Sequence, residues 1–124
     1  MNPKTRFALL FCSLAMGGVA AEAQTLPQGV TQAMITKGKE IYSKSGLCFA
    51  CHGPEGKGLV GPNLTDDVWL HSKGTFDEIV HQTTVGVTAE QSKSKVPMPA
   101  KGGSTISDED IRAVSAYVWS LSHQ

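Results

Sequence analysis

The chain has 124 residues, of which 40% are hydrophobic, 18% charged and 6% aromatic, and this size suits one small domain and excludes two. Eleven basic side chains balance eleven acidic ones and no long run of one sign occurs, so the charge does not point to a nucleic-acid partner. Thirteen glycines and six prolines predict a loop-rich domain of a few helices with a thin core.

Residues 1–23 have the pattern of a secretory signal peptide. Two basic residues precede the apolar stretch 7–16, and Ala21-Glu22-Ala23 has small residues where signal peptidase reads them. The alternatives are an uncleaved anchor, although the stretch is shorter than the roughly 20 residues that cross a bilayer, and a lipoprotein signal at Cys12. We expect cleavage, a periplasmic or secreted location, and a domain of residues 24–124 without stable membrane insertion.

The first predicted helix covers roughly residues 31–44. Thr31 can cap its start, and apolar residues recur at helical spacing along one stripe, namely Met34, Ile35, Ile41 and Tyr42. Gly38 interrupts this stripe. Glycine inside a helix is about 1 kcal/mol less favourable than alanine, so we expect another element to approach closely there.

The middle of the chain predicts one further helix between loops. A short helical turn is expected over residues 64–70, and the spacing of Phe76, Ile79, Val80 and Thr83 predicts an amphipathic helix over about 75–84. The segment Val85-Gly86-Val87 resembles a strand, but no nearby segment offers a partner. Residues 88–105 form a long polar loop, and such length usually has a functional reason.

The last predicted helix begins at Ser107-Asp108-Glu109-Asp110, which resembles a capping box with acidic residues at the positive end of the helix dipole. Its apolar positions continue to about residue 121. With no alternating strand pattern along the chain, the predicted class is all-α.

Cys48-Phe49-Ala50-Cys51-His52 is a C-x-x-C-H sequence, the attachment signature of c-type haem. On one helical turn, the two thiols can reach neighbouring haem vinyl groups while His52 is directed at the iron. A redox dithiol usually lies in a βαβ pattern, which is missing from this sequence, and a structural zinc site needs about four ligands. A structural disulfide between Cys48 and Cys51 is the remaining alternative.

Met98 is the candidate for the sixth iron position. Pro97 and Pro99 restrict the backbone on either side and present the thioether stiffly. A loop methionine is otherwise often packing filler. The competing ligands are each explained more simply as surface or helix-face residues: His71, His81, His123 and Met34.

The order of these motifs resembles the class I bacterial, monohaem cytochromes c. The motif at residues 48–53 is followed by Gly61-Pro62-Asn63-Leu64, by Met98-Pro99 and by a terminal helix with Tyr117. The resemblance implies a small cytochrome c fold of three to five helices packed around one haem c, covalently bound through Cys48 and Cys51.

The same resemblance assigns roles to further residues. The carbonyl of Pro62 would accept a hydrogen bond from His52, and Trp69 would reach a haem propionate unless it is simple core. Gly38 and Tyr42 on the first helix would cross the last helix at Val114 and Tyr117.

The expected function is one-electron transfer by an exported carrier that is not itself an enzyme. Its partners would be redox proteins that donate and accept electrons. We expect the carrier to be a monomer or to form only weak complexes with them. Lysines around an exposed haem edge would steer these partners by their charge. The alternative is that the same lysines are ordinary solvated surface. They are Lys44, Lys57, Lys93, Lys95 and Lys101. The alternatives are a haem subunit of a dehydrogenase or oxidase complex, a haem enzyme or gas sensor with an open iron position, and a dithiol oxidoreductase.

Overall fold

The computed structural model describes residue 18 and residues 24–124, so the expected signal segment lies outside the described residues apart from Gly18. Within them the chain forms four α-helices and two 3₁₀ turns. The helices are α1 (Gln32–Ser43), α2 (Phe49–His52), α3 (Phe76–Val85) and α4 (Asp108–Leu121), and the 3₁₀ turns are Pro54–Gly56 and Ala100–Gly103. The all-α class is confirmed. None of the helices formed by residues 24–124 combines the length and apolar character needed to cross a bilayer.

Side-chain caps fix where the three longer helices begin. Thr31 accepts a hydrogen bond from the Met34 amide at the start of α1, and Ser107 does the same for Asp110 at the start of α4. The complete capping box lies at α3 instead, where Thr75 and Glu78 each bond to the other's backbone amide. The predicted helix boundaries therefore agree with the structure to within one residue for α1 and α3.

Helices α1 and α4 cross at Gly38, and this contact organises the core. A Cβ atom at Gly38 would overlap the backbone carbonyl of Ala113 and lie 2.9 Å from Cβ of Tyr117. The absence of a side chain thus lets the two backbones approach closely, as the sequence predicts. Beside the crossing, the rings of Tyr42 and Tyr117 meet edge to face with centroids 5.4 Å apart.

Tyr42 also connects this crossing to α2. Its buried hydroxyl donates to the carbonyl of Gly53 at 2.7 Å, directly after the last residue of α2. Burial raises the pKa of Tyr42, so the hydroxyl remains a donor at all physiological pH values. The core of α1 and α4 thereby fixes the C-terminal end of the C-x-x-C-H motif.

Two expectations for the middle of the chain are wrong. Residues 64–70 are bends and irregular backbone, not a helical turn. Side-chain oxygens there bond forward to the backbone, Asn63 accepting from the Thr65 amide at 2.8 Å and Asp66 from the Val68 amide at 3.1 Å. Such local bonds compete with helical hydrogen bonds and favour turns.

The second correction concerns the strand-like segment after α3, for which the sequence offers no partner. Val87 pairs with Met98 in an isolated antiparallel bridge. The bridge joins the end of α3 to Met98 in the middle of the long polar loop, so it fixes the backbone of the candidate iron ligand.

Candidate haem-binding site

The C-x-x-C-H motif forms one short helical turn, as the attachment geometry requires. Cys48 is half-buried and Cys51 exposed, and both are free thiols. Leu47, at φ 57°, is in the left-handed region and turns the chain into α2. Burial raises the pKa of Cys48 to about 11, so its thiol is protonated at neutral pH.

His52 is buried, with 9% of its surface exposed, and its ring orientation is fixed by a hydrogen bond. Its Nδ1 lies 2.9 Å from the carbonyl oxygen of Pro62. Because a carbonyl only accepts, Nδ1 carries the proton and Nε2 keeps a free lone pair. Burial lowers the pKa of His52 and outweighs the opposing effect of the Pro62 carbonyl, so the imidazole is neutral and able to bind a metal.

Gly61 permits the segment before Pro62 to pass over the imidazole. A Cβ at this position would lie 3.0 Å from Nδ1 of His52 and 3.2 Å from the carbonyl oxygen of Cys51. The Gly61 amide instead donates to that carbonyl at 2.8 Å. The Gly61-Pro62 pair therefore does more than make a turn, because it packs against the His52 ring and accepts its hydrogen bond.

A cavity opens beside the motif. Both cysteines and His52 line it, and Met98 contributes to the same wall. Much of the remaining lining is aliphatic and comes from α3 and α4 or from the loops, including Ile79, Val114, Val118, Leu64 and Val96. This largely aliphatic lining suits an apolar group, and the imidazole and sulfur groups in the wall are the side chains that could fix such a group in place.

The backbone amide and carbonyl of Met98 are both hydrogen-bonded to Val87. The Val87 amide donates to the Met98 carbonyl at 2.8 Å, and the Met98 amide donates to the Val87 carbonyl at 2.9 Å. Gly86, at φ 75°, allows this approach, because a Cβ there would overlap the Met98 carbonyl and lie 2.7 Å from the amide nitrogen of Ala100. The thioether is thus presented from a fixed backbone.

The structure separates the other candidate ligands from the site, with one exception. His71 lies in the cavity wall, where its Nε2 accepts from the Lys93 amide at 3.2 Å. His81 is exposed on α3 outside this cavity. His123 stacks on Trp119 with ring centroids 4.1 Å apart, and Met34 packs against the core.

Trp69 lines the cavity and also packs against the hydrophobic core. Its indole nitrogen lies against Gly74, where a Cβ would overlap the ring.

Two of the five lysines considered for partner steering already have contacts. Lys57 pairs with Glu55 at 3.4 Å, and Lys101 donates to the Ile106 carbonyl at 3.2 Å.

Sequence reasoning missed Gln82, whose amide Nε2 lies 3.9 Å from Sδ of Met98. The available signal was its place on the predicted helix, one residue from Thr83 of the buried stripe. The helical periodicity predicts that a residue beside this stripe is half-buried, but it does not predict what the amide of Gln82 contacts.

Comparison with known proteins decides the family. The family described as cytochrome c oxidase, cbb3-type, subunit III matches residues 33–118. The chain belongs to this family of cytochrome c domains. Haem c is the cofactor that membership implies, and the resemblance to class I cytochromes c is confirmed.

The relatives of this cytochrome c domain include subunits of cbb3-type oxidases. Subunit CcoP of Rubrivivax gelatinosus is 42% identical over 83 residues, which are 64% of this chain and 24% of that protein. CcoP of Rhodobacter capsulatus is 34% identical over 98 residues, covering 76% and 31%. FixP of Bradyrhizobium diazoefficiens is 36% identical over 90 residues, covering 68% and 27%. The cytochrome c domain thus spans about a quarter to a third of the length of these relatives.

A solved structure supports the fold independently. Cytochrome cL of Methylophaga aminisulfidivorans superposes with a TM-score of 0.52 at 19% identity, over 72% of this chain and 53% of that one. At this identity the likeness establishes the cytochrome c fold alone. Together with the family match, it confirms the predicted small helical cytochrome c fold.

Proposed function

We propose that residues 24–124 bind a single haem c and transfer one electron at a time. Cys48 and Cys51 would hold the haem as thioethers, and His52 and Met98 would bind its iron. The observation that carries this assignment is the bond between His52 and the Pro62 carbonyl, which leaves one free ring nitrogen on a neutral imidazole in the cavity that Met98 also lines.

When bound, haem supplies an iron that accepts and releases single electrons. The chain's own residues would keep the structural rearrangement that accompanies each electron transfer small. His52 is fixed through Pro62 and Met98 through Val87, so neither ligand has to move between the two charge states. The aliphatic wall excludes water and disfavours extra positive charge, which together with a thioether ligand favours the reduced form.

We further propose that this electron carrier serves a terminal oxidase as a haem subunit, in preference to an independent soluble carrier. The support is that the relatives described above are subunits of cbb3-type oxidases. In this role the cytochrome c domain would deliver electrons to the oxidase. Co-purification of the native protein with larger haem-containing subunits tests this, and isolation as a stable monomer under conditions that preserve membrane complexes would favour the independent carrier.

Export follows from the pattern in residues 1–23, which we propose to be a cleaved signal. Cys48 and Cys51 would then meet haem outside the cytoplasm. The mass of the exported protein tests cleavage and haem attachment at once, because removal of residues 1–23 and addition of one porphyrin change it in opposite directions. Retention of the full N-terminal sequence would favour the membrane-anchor alternative.

The cofactor proposal is tested by the absorption spectra of the exported protein in both redox states. We expect a haem spectrum that survives denaturation, because thioethers do not dissociate, and a sulfur-to-iron charge-transfer band in the ferric state. The paired variant Cys48→Ala, Cys51→Ala should lose the covalent haem and, with the cavity unfilled, most of its fixed structure. A colourless wild-type protein contradicts the cofactor proposal, and a cooperative native-like melt of the haem-free paired variant contradicts the structural role of the haem.

A further inference from the structure

A histidine outside the C-x-x-C-H motif bonds to the loop that carries Met98. The Nε2 atom of His71 accepts a hydrogen bond from the backbone amide of Lys93 at 3.2 Å. Within residues 24–124, this is the only hydrogen bond from the segment 88–97 to a residue outside that segment. The two residues that flank the segment, Val87 and Met98, pair with each other. His71 therefore fastens the body of the loop to the rest of the domain.

The segment 88–97 is folded on itself and forms part of the cavity wall. The amide of the buried Ser92 donates to the Thr88 carbonyl at 2.8 Å, and the Ser92 carbonyl accepts from the Lys95 amide at 3.2 Å. Three members of the segment line the cavity: Ser92, Ser94 and Val96. Because these local bonds hold the segment together, it moves away from the cavity as one body, and the bond to His71 opposes that movement.

The backbone on either side of His71 is anchored. Trp69 packs against the hydrophobic core, and the Lys73 amide donates to the carboxylate of Glu78 at the start of α3 at 3.1 Å. The imidazole lines the main cavity and also a second, smaller one that residues of α3 border. His71 thus projects from a fixed segment and holds a loop whose own attachment is slight.

The direction of this hydrogen bond makes it sensitive to pH. A backbone amide only donates, so Nε2 of His71 accepts only while that nitrogen carries no proton, and a protonated imidazole has donors at both nitrogens. Histidine is the side chain whose charge changes between about pH 5 and 8. Besides the C-x-x-C-H motif in the main cavity, the titratable groups around His71 lie on its own segment, on the loop and on α3, namely Lys73, Lys93, Asp77, Glu78 and His81.

We infer that His71 is a pH-sensitive clip that holds the Met98 loop against the cavity, an inference that rests on the proposed function in which Met98 binds the haem iron. While His71 is neutral, opening the loop requires breaking both the clip and the bridge between Val87 and Met98. Once His71 is protonated, the bridge alone opposes opening. Met98 is then replaced by an external ligand more readily in acid than at neutral pH.

The test uses the haem-loaded ferrous protein and carbon monoxide, a probe that does not titrate and that binds the iron once Met98 has left it. The binding rate is measured from about pH 8 to about pH 5, and the amide proton of Lys93 is followed by NMR over the same range. His71→Gln keeps a side-chain acceptor that does not titrate, whereas His71→Leu has none. His81→Gln is the matched control, because His81 lines the same second cavity.

We expect the wild type to bind carbon monoxide faster in acid by a factor between about two and ten, the range that one ordinary hydrogen bond supplies. The Lys93 amide resonance should shift with the same midpoint. His71→Gln should bind slowly and His71→Leu quickly, both without dependence on pH, and His81→Gln should follow the wild type. Should His71→Leu fail to incorporate haem, His71→Gln decides alone.

The inference is overturned if His71→Gln keeps the wild-type pH dependence, because another group then titrates, or if His81→Gln abolishes it. It is also overturned if His71→Leu binds carbon monoxide at the wild-type rate at neutral pH. A wild type that binds carbon monoxide as fast as Met98→Ala at every pH gives a different result, because it overturns Met98 as the iron ligand of the proposed function. The Lys93 resonance does not depend on that ligand, and it then decides whether the clip exists.

Discussion

Replacing Gly38 with alanine should destabilise the protein even though alanine is the better helix former. The new Cβ would overlap the Ala113 carbonyl and lie 2.6 Å from its carbon atom. Ordinary carbon contacts lie at about 3.5–4.0 Å, so α1 would have to retreat from α4 by about 1 Å. Helix backbone cannot escape by changing rotamer, which places the penalty near the upper end of the usual range for overpacking, about 3 kcal/mol.

The gain in helix propensity offsets about 1 kcal/mol of that penalty, which leaves a net loss of about 2 kcal/mol. For a domain of this size, such a loss lowers the melting temperature by about 8–16 °C. Thermal unfolding of the haem-loaded protein, followed by circular dichroism, measures it. Lys39→Ala is the matched control, because its exposed side chain on the same helix should change stability by less than about 0.5 kcal/mol. A Gly38→Ala variant as stable as the wild type would refute a packing requirement at this crossing.

Three further predictions concern Met98 and the start of α3. Met98→Ala should lower the reduction potential and let carbon monoxide bind the ferrous protein, and an unchanged potential would remove Met98 as a ligand. Gly86→Ala should abolish the sulfur-to-iron band while helix content persists, whereas Gly103→Ala, at a similar φ of 78° but with its nearest neighbour 3.8 Å away, should retain the band. Loss of the band in both variants would point to backbone strain and not to contact with the Met98 carbonyl. Hydrogen bonds from the Thr75 side chain and backbone lower the pKa of Glu78, so its ionised form stabilises the fold above the ordinary pKa of about 4.3, and this contribution disappears as pH falls through the lower folded value. The difference in melting temperature between wild type and Glu78→Gln should therefore narrow in acid, and pH curves that stay parallel would contradict it.

The sequence predicts the helices well because their signals are local. Thr31 and Ser107 cap helices where the side-chain oxygen next to an apolar stripe indicates a start, and Gly38 marks a close approach because nothing else explains a glycine on that stripe. The error over residues 64–70 has the same local origin. The side chains of Asn63 and Asp66 bond to the backbone two residues ahead, and these local bonds favour bends over the predicted helical turn.

The residues of the contiguous motif and the proline-flanked Met98 were predicted from the sequence, but the contacts that hold Met98 were not. Cys48, Cys51 and His52 are contiguous, and the resemblance to a family led to Pro62, which the structure places 2.9 Å from His52. The Val87 bridge and the Gln82 contact depend on two segments meeting across a long loop. A single bridge leaves no alternating pattern in the sequence, and a lone amide on a helix has no distinctive spacing.

The crossing of α1 and α4 also determines the stage of synthesis at which the domain can finish folding. These helices are each other's main packing partner, yet residues that join them, such as Lys37 and Glu109, are 72 positions apart in the chain. Closing so long a loop carries an entropic penalty before any contact repays it. During synthesis the C-x-x-C-H segment would therefore stay accessible until α4 has been made, which leaves time for the proposed haem to be inserted before the protein closes around it.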